Sequence, residues 1–338
     1  MISLPFFLSI LLSMTQLVVV VMFAPLIAGF RVFMSARLTG VAAPPVLRRW
    51  YLIATQWCAD SPDQNSDPLT PQTSIVASCA TTAAMTTVLV VSLLVPMAAS
   101  GLATAHLSDI FVITLLLMSA QIACQLPALG GQAETATTAF RRLISASVAI
   151  PVLFLIAVLF FSVGATTNLD VVLSGLRSGS PFGDDAPFVL AALALLVAGA
   201  ASDCTVSDVG VTGTDRAILM LAADCSSLIW LTLAGDLFWP GSLALISEHQ
   251  TVTGSVGALS VGFLLWIVRC CVLCVILAAG NLVAAGPVTR IRLRGAGALL
   301  LAFFAIQVLF GSRFPIMPYR GAVHEQSTFD DNTGGGPL

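Results

Sequence analysis

Apolar residues in this chain run in long uninterrupted blocks, separated by short stretches that are polar or rich in Gly and Pro. Eight blocks stand out, at residues 4–28, 75–99, 110–129, 143–165, 187–202, 217–239, 258–283 and 296–312. Most are of the length that crosses a hydrocarbon core about 30 Å thick, which takes roughly 20 residues of α-helix. Each block predicts a transmembrane helix. A bilayer core offers no water to backbone N–H and C=O groups, so a spanning segment has to satisfy them internally. The period-2 alternation of a membrane-barrel strand is absent. The fifth block, Pro187–Ser202, is the shortest, yet its core FVLAALALLVAGAA is continuous and uncharged. The pattern therefore predicts an all-α polytopic membrane domain with about eight spans over residues 1–312. A tail over 313–338, ending in DDNTGGGPL, is poor in apolar residues and reads as disordered.

Composition agrees with this. Hydrophobic residues make up 57% of the chain and charged residues only 9%, against about 25% charged in soluble domains. That is too little polar surface to cover a soluble globule of 338 residues. The net charge of −3 points to no class of partner, and no basic patch interleaved with aromatics suggests nucleic acid. Of the eight cysteines, Cys79, Cys124, Cys225, Cys270, Cys271 and Cys274 lie inside apolar blocks. They read as small buried thiols rather than a disulfide framework. Cys271-Val-Leu-Cys274 has C-x-x-C spacing but no βαβ context that would make it a redox motif. The first block lacks a positive n-region and is too long for the core of a signal peptide, so it is expected to stay in the mature protein.

Charge changes the picture by giving it a direction. All the basic residues are Arg. Arg31, Arg37, Arg48, Arg49, Arg141, Arg142, Arg216, Arg290, Arg292 and Arg294 follow spans one, three, five and seven; Arg177, Arg313 and Arg320 fall on the other side. Cytoplasmic loops carry the excess of Lys and Arg, so the bias predicts both termini outside and the Arg-rich loops in the cytoplasm. The first of these loops, at roughly 30–74, is the longest. Its first half mixes Arg, aromatic and aliphatic residues, as a short amphipathic helix at the membrane surface would. Its second half, ADSPDQNSDPLTPQ, is acidic and Pro-rich and predicts irregular backbone.

Charges at membrane depth are expensive and normally face other protein. Asp109 stands at a helix edge, Asp224 and Asp236 in span six, and Arg269 in span seven. At 1.5 Å per residue, Asp224, Arg269 and Asp236 lie roughly 10, 20 and 30 Å from the cytoplasmic edge. Asp236 or a backbone carbonyl is the expected partner of Arg269. The group reads either as a step in an ion pathway or as a structural contact between helices or subunits. His106, His249 and His324 are scattered, without metal spacing, and no phosphate loop, nucleophile elbow, dinucleotide fingerprint or zinc motif occurs. No internal repeat of the kind common in transporters is visible.

The run Pro25-Leu26-Ile27-Ala28-Gly29-Phe30, followed by Ala36-Arg37-Leu38, Gly40 and Pro44-Pro45, resembles the start of the first cytoplasmic loop in the complex I subunit 1 family. That family includes the matching membrane subunits of formate hydrogenlyase and related group 4 nickel-iron hydrogenases. Its pattern there is roughly P-L-x-x-G-[WF] and A-R-x-x-x-R-x-G-P-P, and the hydrogenase branch is the nearer one. Three later places keep the register. Arg141 precedes span four where the family has S-R-E. Asp208, Thr212 and Asp215 follow span five where the family has a D-x-P-x-T-x-x-E loop. Arg290, Arg292 and Arg294 follow span seven where it has a basic cluster. The resemblance covers residues 5–312.

It implies a multi-pass subunit of the bacterial inner membrane with no catalytic residue and no cofactor of its own. Iron–sulfur clusters and nickel-iron or quinone would sit in partner subunits. Those partners are soluble hydrogenase- or NADH dehydrogenase-like proteins and other membrane subunits. Arg37, Arg48, Arg49, Arg141, Arg290, Arg292 and Arg294 would dock them, each serving otherwise as a topology determinant at the lipid headgroups. Asp208, Asp215, Asp224, Asp236 and Arg269 would be what remains of an ion path. The family's span-four and span-five glutamates are missing: Ile150 and Ala201 stand in their places. Arg142 replaces the Glu of S-R-E, Cys204 and Val206 replace the Arg and Pro of the later loop, and Val41–Ala43 replace R-x-G. Glu134, Glu248 and Glu325 all lie outside the spans. A proton relay needs titratable groups within hydrogen-bond reach, so the usual relay is expected to be lost. Asp203, Asp208, Asp215 and Asp224 then form either a shorter, shifted path or a solvated rim. A small-solute transporter or channel lined by Arg269 and the aspartates of span six is the competing function.

Overall fold

The computed structural model describes residues 4–59, 75–101, 104–129, 133–147, 149–164, 166–177, 186–201, 213–245, 252–280 and 287–313. The helices are α1 (Leu4–Leu38), α2 (Arg48–Cys58), α3 (Ile75–Leu94), α4 (Ile110–Leu129), α5 (Ala133–Ser147) and α6 (Ala149–Gly164). They continue with α7 (Leu169–Leu176), α8 (Ala186–Ala201), α9 (Gly213–Phe238), α10 (Val252–Gly280) and α11 (Pro287–Arg313). Six helical stretches among the described residues are long and apolar enough to cross a membrane: Ile10–Leu38, Ile75–Leu94, Ile110–Leu129, Ala136–Ser162, Gly213–Phe238 and Gly257–Gly280. Ala186–Gly199 and Gly295–Phe310 are apolar but shorter. The chain is an all-α polytopic membrane protein.

Helix α9 is the axis of the bundle. It is buried on nearly every side and packs against α1, α2, α3, α4, α8 and α10. The outer helices bury one face and leave large apolar side chains such as Leu115, Phe161, Leu264 and Leu300 exposed, as a surface solvated by lipid requires. Helices in lipid gain little from hydrophobic burial against one another, so small residues that permit close approach carry much of the packing. Gly199 on α8 accommodates the Trp230 side chain of α9, and a Cβ there would stand 3.0 Å from that of Trp230. Helices α8 and α11 pack together, and both carry stripes of fully buried alanines, Ala191, Ala194 and Ala198 on one and Ala298, Ala302 and Ala305 on the other.

Connections at one end of the bundle are tied to each other. The two-residue strands β1 (Ala99–Ser100) and β2 (Ala244–Leu245) pair in parallel, with Ala244 N–H donating to Ala98 O at 2.8 Å. Asp109 caps α4 by accepting from Phe111 N–H at 2.8 Å, and its other oxygen accepts from the Thr167 hydroxyl at 2.6 Å. The edge aspartate of the sequence is therefore an N-cap. Asn168 caps α7 through Asp170 N–H and Val171 N–H and donates to Ala105 O at 3.0 Å. Arg177 donates to Leu243 O at 2.6 Å. At the same end Pro96 has no N–H to offer the carbonyl of Ser92. The amide of Gln16 on α1 donates to that carbonyl and to Val95 O, each at 2.8 Å.

The Arg-rich connections differ from the sequence reading in one systematic way. Of the segments expected as loops, every Arg counted as cytoplasmic lies on a helix. Arg31 and Arg37 ride on α1, which continues ten residues past the expected end of span one because nothing between Leu26 and Leu38 stops it. Its terminator is Gly40 at φ +73°, where Val41 N–H bonds Ala36 O and Gly40 N–H bonds Arg37 O, the two bonds of a Schellman cap. The expected surface helix is α2. Arg141 and Arg142 lie on α5, the amphipathic stretch of helix that leads into α6. Arg290, Arg292 and Arg294 fall in the first turns of α11 rather than in a loop before it. The acidic stretch at 60–74 and the tail from 314 lie outside the described residues.

Gly262 of α10 sets how closely that helix approaches the β1–β2 end, since a Cβ there would lie 2.5 Å from Ala98 O and 3.2 Å from the Ala244 side chain. Because that carbonyl is already fixed by Ala244 N–H, Gly262→Ala is expected to cost about 1–3 kcal/mol through overpacking. Gly257→Ala, with nothing within 4 Å, should be neutral or mildly stabilising. Thermal unfolding of the two variants in the same detergent measures the difference.

Candidate functional site

Among the described residues, the buried charges Asp224, Asp236 and Arg269 take part in two ion pairs, both anchored on α9. The first joins α9 to α10. Arg269 and Asp236 are almost fully buried, and the guanidinium Nη2 donates to Asp236 Oδ1. Nη1 donates to Ser242 Oγ at 2.8 Å, and that hydroxyl in turn donates to Trp239 O at 2.8 Å. One guanidinium thus ties α10, the last turn of α9 and the 3-10 turn Pro240–Ser242 together. The residue before Asp236 explains the fit: a Cβ on Gly235 would lie 2.6 Å from Arg269 Nε and 2.8 Å from its Cδ. Asp236 Oδ2 and Arg269 Nε have no hydrogen-bond partner among the described residues.

The second pair joins α9 to α2. Arg49 Nε donates to Asp224 Oδ2 at 2.8 Å and Nη2 donates to Asp224 Oδ1 at 2.9 Å. This is the two-pronged geometry that favours Arg over Lys. Asp224 is buried and Arg49 about a quarter exposed. Trp50 donates its indole N–H to Met22 O of α1 at 3.2 Å, and Ile53 is buried. Helix α2 is thereby drawn down onto α1 and α9. The chain reaches it past Gly29 of the PLIAGF run. A Cβ on Gly29 would stand 2.1 Å from Val46 O, so only glycine lets the Pro44–Val46 backbone lie on α1.

The remaining candidates separate into groups. Asp215 sits half-buried in the first turn of α9, where a carboxylate suits the positive end of the helix dipole. Asp203 and Asp208 lie outside the described residues. Asp224 and Asp236 are twelve residues apart on one helix, roughly 18 Å along its axis. That gap is far beyond hydrogen-bond reach, and Leu228, Ile229, Leu231 and Leu233 fill much of it. Thr232, within the gap, accepts from Trp266 N–H at 3.1 Å. Arg37, Arg48 and Arg141 are exposed, with Arg37 over the Phe33 ring at 5.4 Å. Only the backbone is described at Arg290, Arg292, Arg294 and Ala201, while Ile150 is half-exposed on α6. Among the described residues no three His, Cys, Asp or Glu side chains converge as metal ligands would.

Sequence reasoning missed two participants and one pairing. Ser242 and Gly235 complete the Arg269 cluster, and the order Gly-Asp in an otherwise apolar span was the available signal for one of them. The bond from Arg49 to Asp224 crosses 175 residues, and no local pattern announces it. No protein-family model matches the chain, and no curated protein matches it.

Removing one member of a buried pair leaves the other charge uncompensated, at about 3–5 kcal/mol, whereas replacing both by apolar groups is often neutral. Asp236→Leu and Arg269→Met are therefore each expected to lower thermal stability strongly, and the double variant to recover most of the loss. For the second pair, Arg49→Met and Asp224→Asn should each speed amide exchange over Arg48–Cys58. The double variant should do no worse than either, a coupling of about 0.5–3 kcal/mol.

Proposed function

We propose that this chain is the membrane-anchor subunit of a complex I-like or group 4 hydrogenase-like assembly. It docks a soluble electron-transfer arm at the end of the bundle that carries α2. The observation that carries this reading is the build of that end. Helix α2 follows the Pro44-Pro45 step of the family-like run, is held to α9 through Arg49 and Asp224, and leaves Arg48 exposed. Arg37 on the end of α1 and Arg141 on α5 are exposed as well. A fixed, basic surface at one end of a lipid-facing bundle is what an acidic soluble partner needs for oriented contact. Arg49 belongs to the foundation of that surface rather than to its face. Arg290, Arg292 and Arg294, in the first turns of α11, extend the same basic character.

On this reading the six long helices and the two shorter apolar ones make eight spans. The charge bias puts both termini outside and the α2 end in the cytoplasm of a bacterial cell, with the chain in the inner membrane. Iron–sulfur clusters and the nickel-iron or quinone chemistry belong to partner subunits, and this chain positions them without binding them. The family's glutamate relay is lost. Ile150 in the place of one relay residue is half-exposed and apolar, and among the described residues the buried acids Asp224 and Asp236 are each paired with an arginine. Asp224 and Asp236 hold helices together instead of handing on protons.

A tagged full-length chain extracted from its native membrane in mild detergent is expected to bring down an iron–sulfur protein and a hydrogenase- or quinone-reductase-like large subunit. Arg37→Glu, Arg48→Glu and Arg141→Glu together should reduce that recovery by roughly tenfold or more while leaving the chain in the membrane. Recovery of the chain alone, as monomer or homo-oligomer, would overturn the anchor reading.

A further inference from the structure

The bundle contains a second feature, far from the α2 platform. Between α1 and α10, under the β1 end of the bundle, lies a cavity of about 320 Å³ lined by residues of α1, α10 and the Met97–Ala99 segment. It is a half-open groove rather than an enclosed void, and it is far roomier than the roughly 10–15 Å³ that admits one water. Its floor is a tight aromatic cluster in which Phe23 meets Phe263 edge-on at 5.4 Å and Phe263 stacks on Trp266 at 5.6 Å. The Trp266 N–H is turned away into the bundle, toward Thr232.

The chemistry of the lining selects an apolar guest. Its walls are Leu12, Val19, Met97, Leu259 and the aromatic pair. The polar side chains of its lining are three: the Thr15 hydroxyl donates to Leu11 O of its own helix, both donor bonds of the Gln16 amide go to the end of α3, and Ser260 also has a partner of its own. A polar solute entering here would lose its water and find those donors already engaged, and apolar cavities of this kind stay dry. The position says where a guest comes from. Both bordering helices are membrane-crossing stretches. Most of the exposed side chains beside the cavity are apolar, Leu11, Met14 and Val18 on α1 and Val261 and Leu264 on α10, with the small hydroxyls Thr15 and Ser260 between them. The medium these face is hydrocarbon, in which phospholipid acyl chains are the abundant apolar species.

We propose that this cavity is a phospholipid site, in which one acyl chain of a lipid from the leaflet on the β1–β2 side threads between α1 and α10 and rests on Phe263 and Trp266. The headgroup then lies level with the connections at that end. The bound chain fills the groove above the contact of Phe23 with Phe263. The site is independent of what the opposite end docks.

The full-length protein in phosphatidylethanolamine vesicles, doped with a phospholipid bearing a diazirine at mid-chain, provides the test. After irradiation, peptide mass spectrometry should find adducts at Leu12, Val19, Leu259 and Phe263 at least several-fold over the lipid-facing Leu115 and Phe154. The filling variants Val19→Trp and Leu259→Trp should each abolish that excess, while labelling at Leu115 and Phe154 stays unchanged and reports an intact bundle. Even labelling over all these positions would overturn the proposal, as would excess labelling that survives both filling variants. Retention through purification of an apolar molecule other than a phospholipid, with the cavity closed to the probe, would also overturn it.

Discussion

A charge in hydrocarbon has to be met by an opposite charge, and that requirement fixes the position of α9 against its neighbours. Asp236 near one end of this helix meets Arg269 of α10, and Asp224 in its other half meets Arg49 of α2. Hydrophobicity cannot set the rotation of a helix that is apolar on every side, because any face is as soluble in lipid as any other. Two acids at different depths and on different faces remove that freedom. They fix which face of α9 looks at α10 and which at α2, and small residues then determine how near the partners come. Gly235 clears the space that the Arg269 side chain crosses, and Gly29 clears the path of the chain into α2.

The same constraint acts on the backbone. Pro96 deprives the Ser92 carbonyl of its usual donor, and the side chain of Gln16, from a helix distant in sequence, supplies one. The turn after α9 ends on Ser242, whose hydroxyl is shared with the Arg269 cluster. Connections at the β1–β2 end are short and bonded to one another through Asp109, Asn168 and Arg177. At the α2 end the described segments are helices that continue or branch from the bundle, the end of α1, α2 and α5. The two ends thus differ in kind: one is a knot of turns, the other a surface of helix faces and exposed arginines.

The apolar blocks were legible because the membrane filters composition so severely that length and hydrophobicity alone mark a span. The surface helix was legible as well, since RRWYLIATQW mixes Arg and aromatic residues as interfacial helices do. Helix ends were less so. Span one runs on to Leu38 because Arg31 and Arg37 are good helix formers, and charge content by itself does not stop a helix; the stop comes from Gly40. The capped helix α7 went unnoticed, being eight residues inside what read as a loop. In the site, Asp236 or a backbone carbonyl is the expected partner of Arg269, but counting turns leaves Arg269 midway between Asp224 and Asp236; the length of its side chain and the space at Gly235 bring it to Asp236. Arg49 read as a surface group, because a side chain at the edge of a loop gives no hint that its partner lies in the central helix. Asp203 and Asp208 fall where the structure describes nothing.

The separation between Arg49 and Asp224 also bears on how the protein is made. A bacterial or other ribosome adds about 5–20 residues per second, so the 175 residues between the two partners take roughly 9–35 s to synthesise at those rates. Through that interval α1 is already in the lipid while the helix that will receive Arg49 does not yet exist. Helix α2 therefore has to wait as an amphipathic segment on the bilayer surface, with its guanidinium among the headgroups, and it docks only as a late step of insertion. The α2 end is completed only when α9, the fifth of the six long apolar stretches, has been threaded, so an unfinished chain cannot hold α2 in its final place.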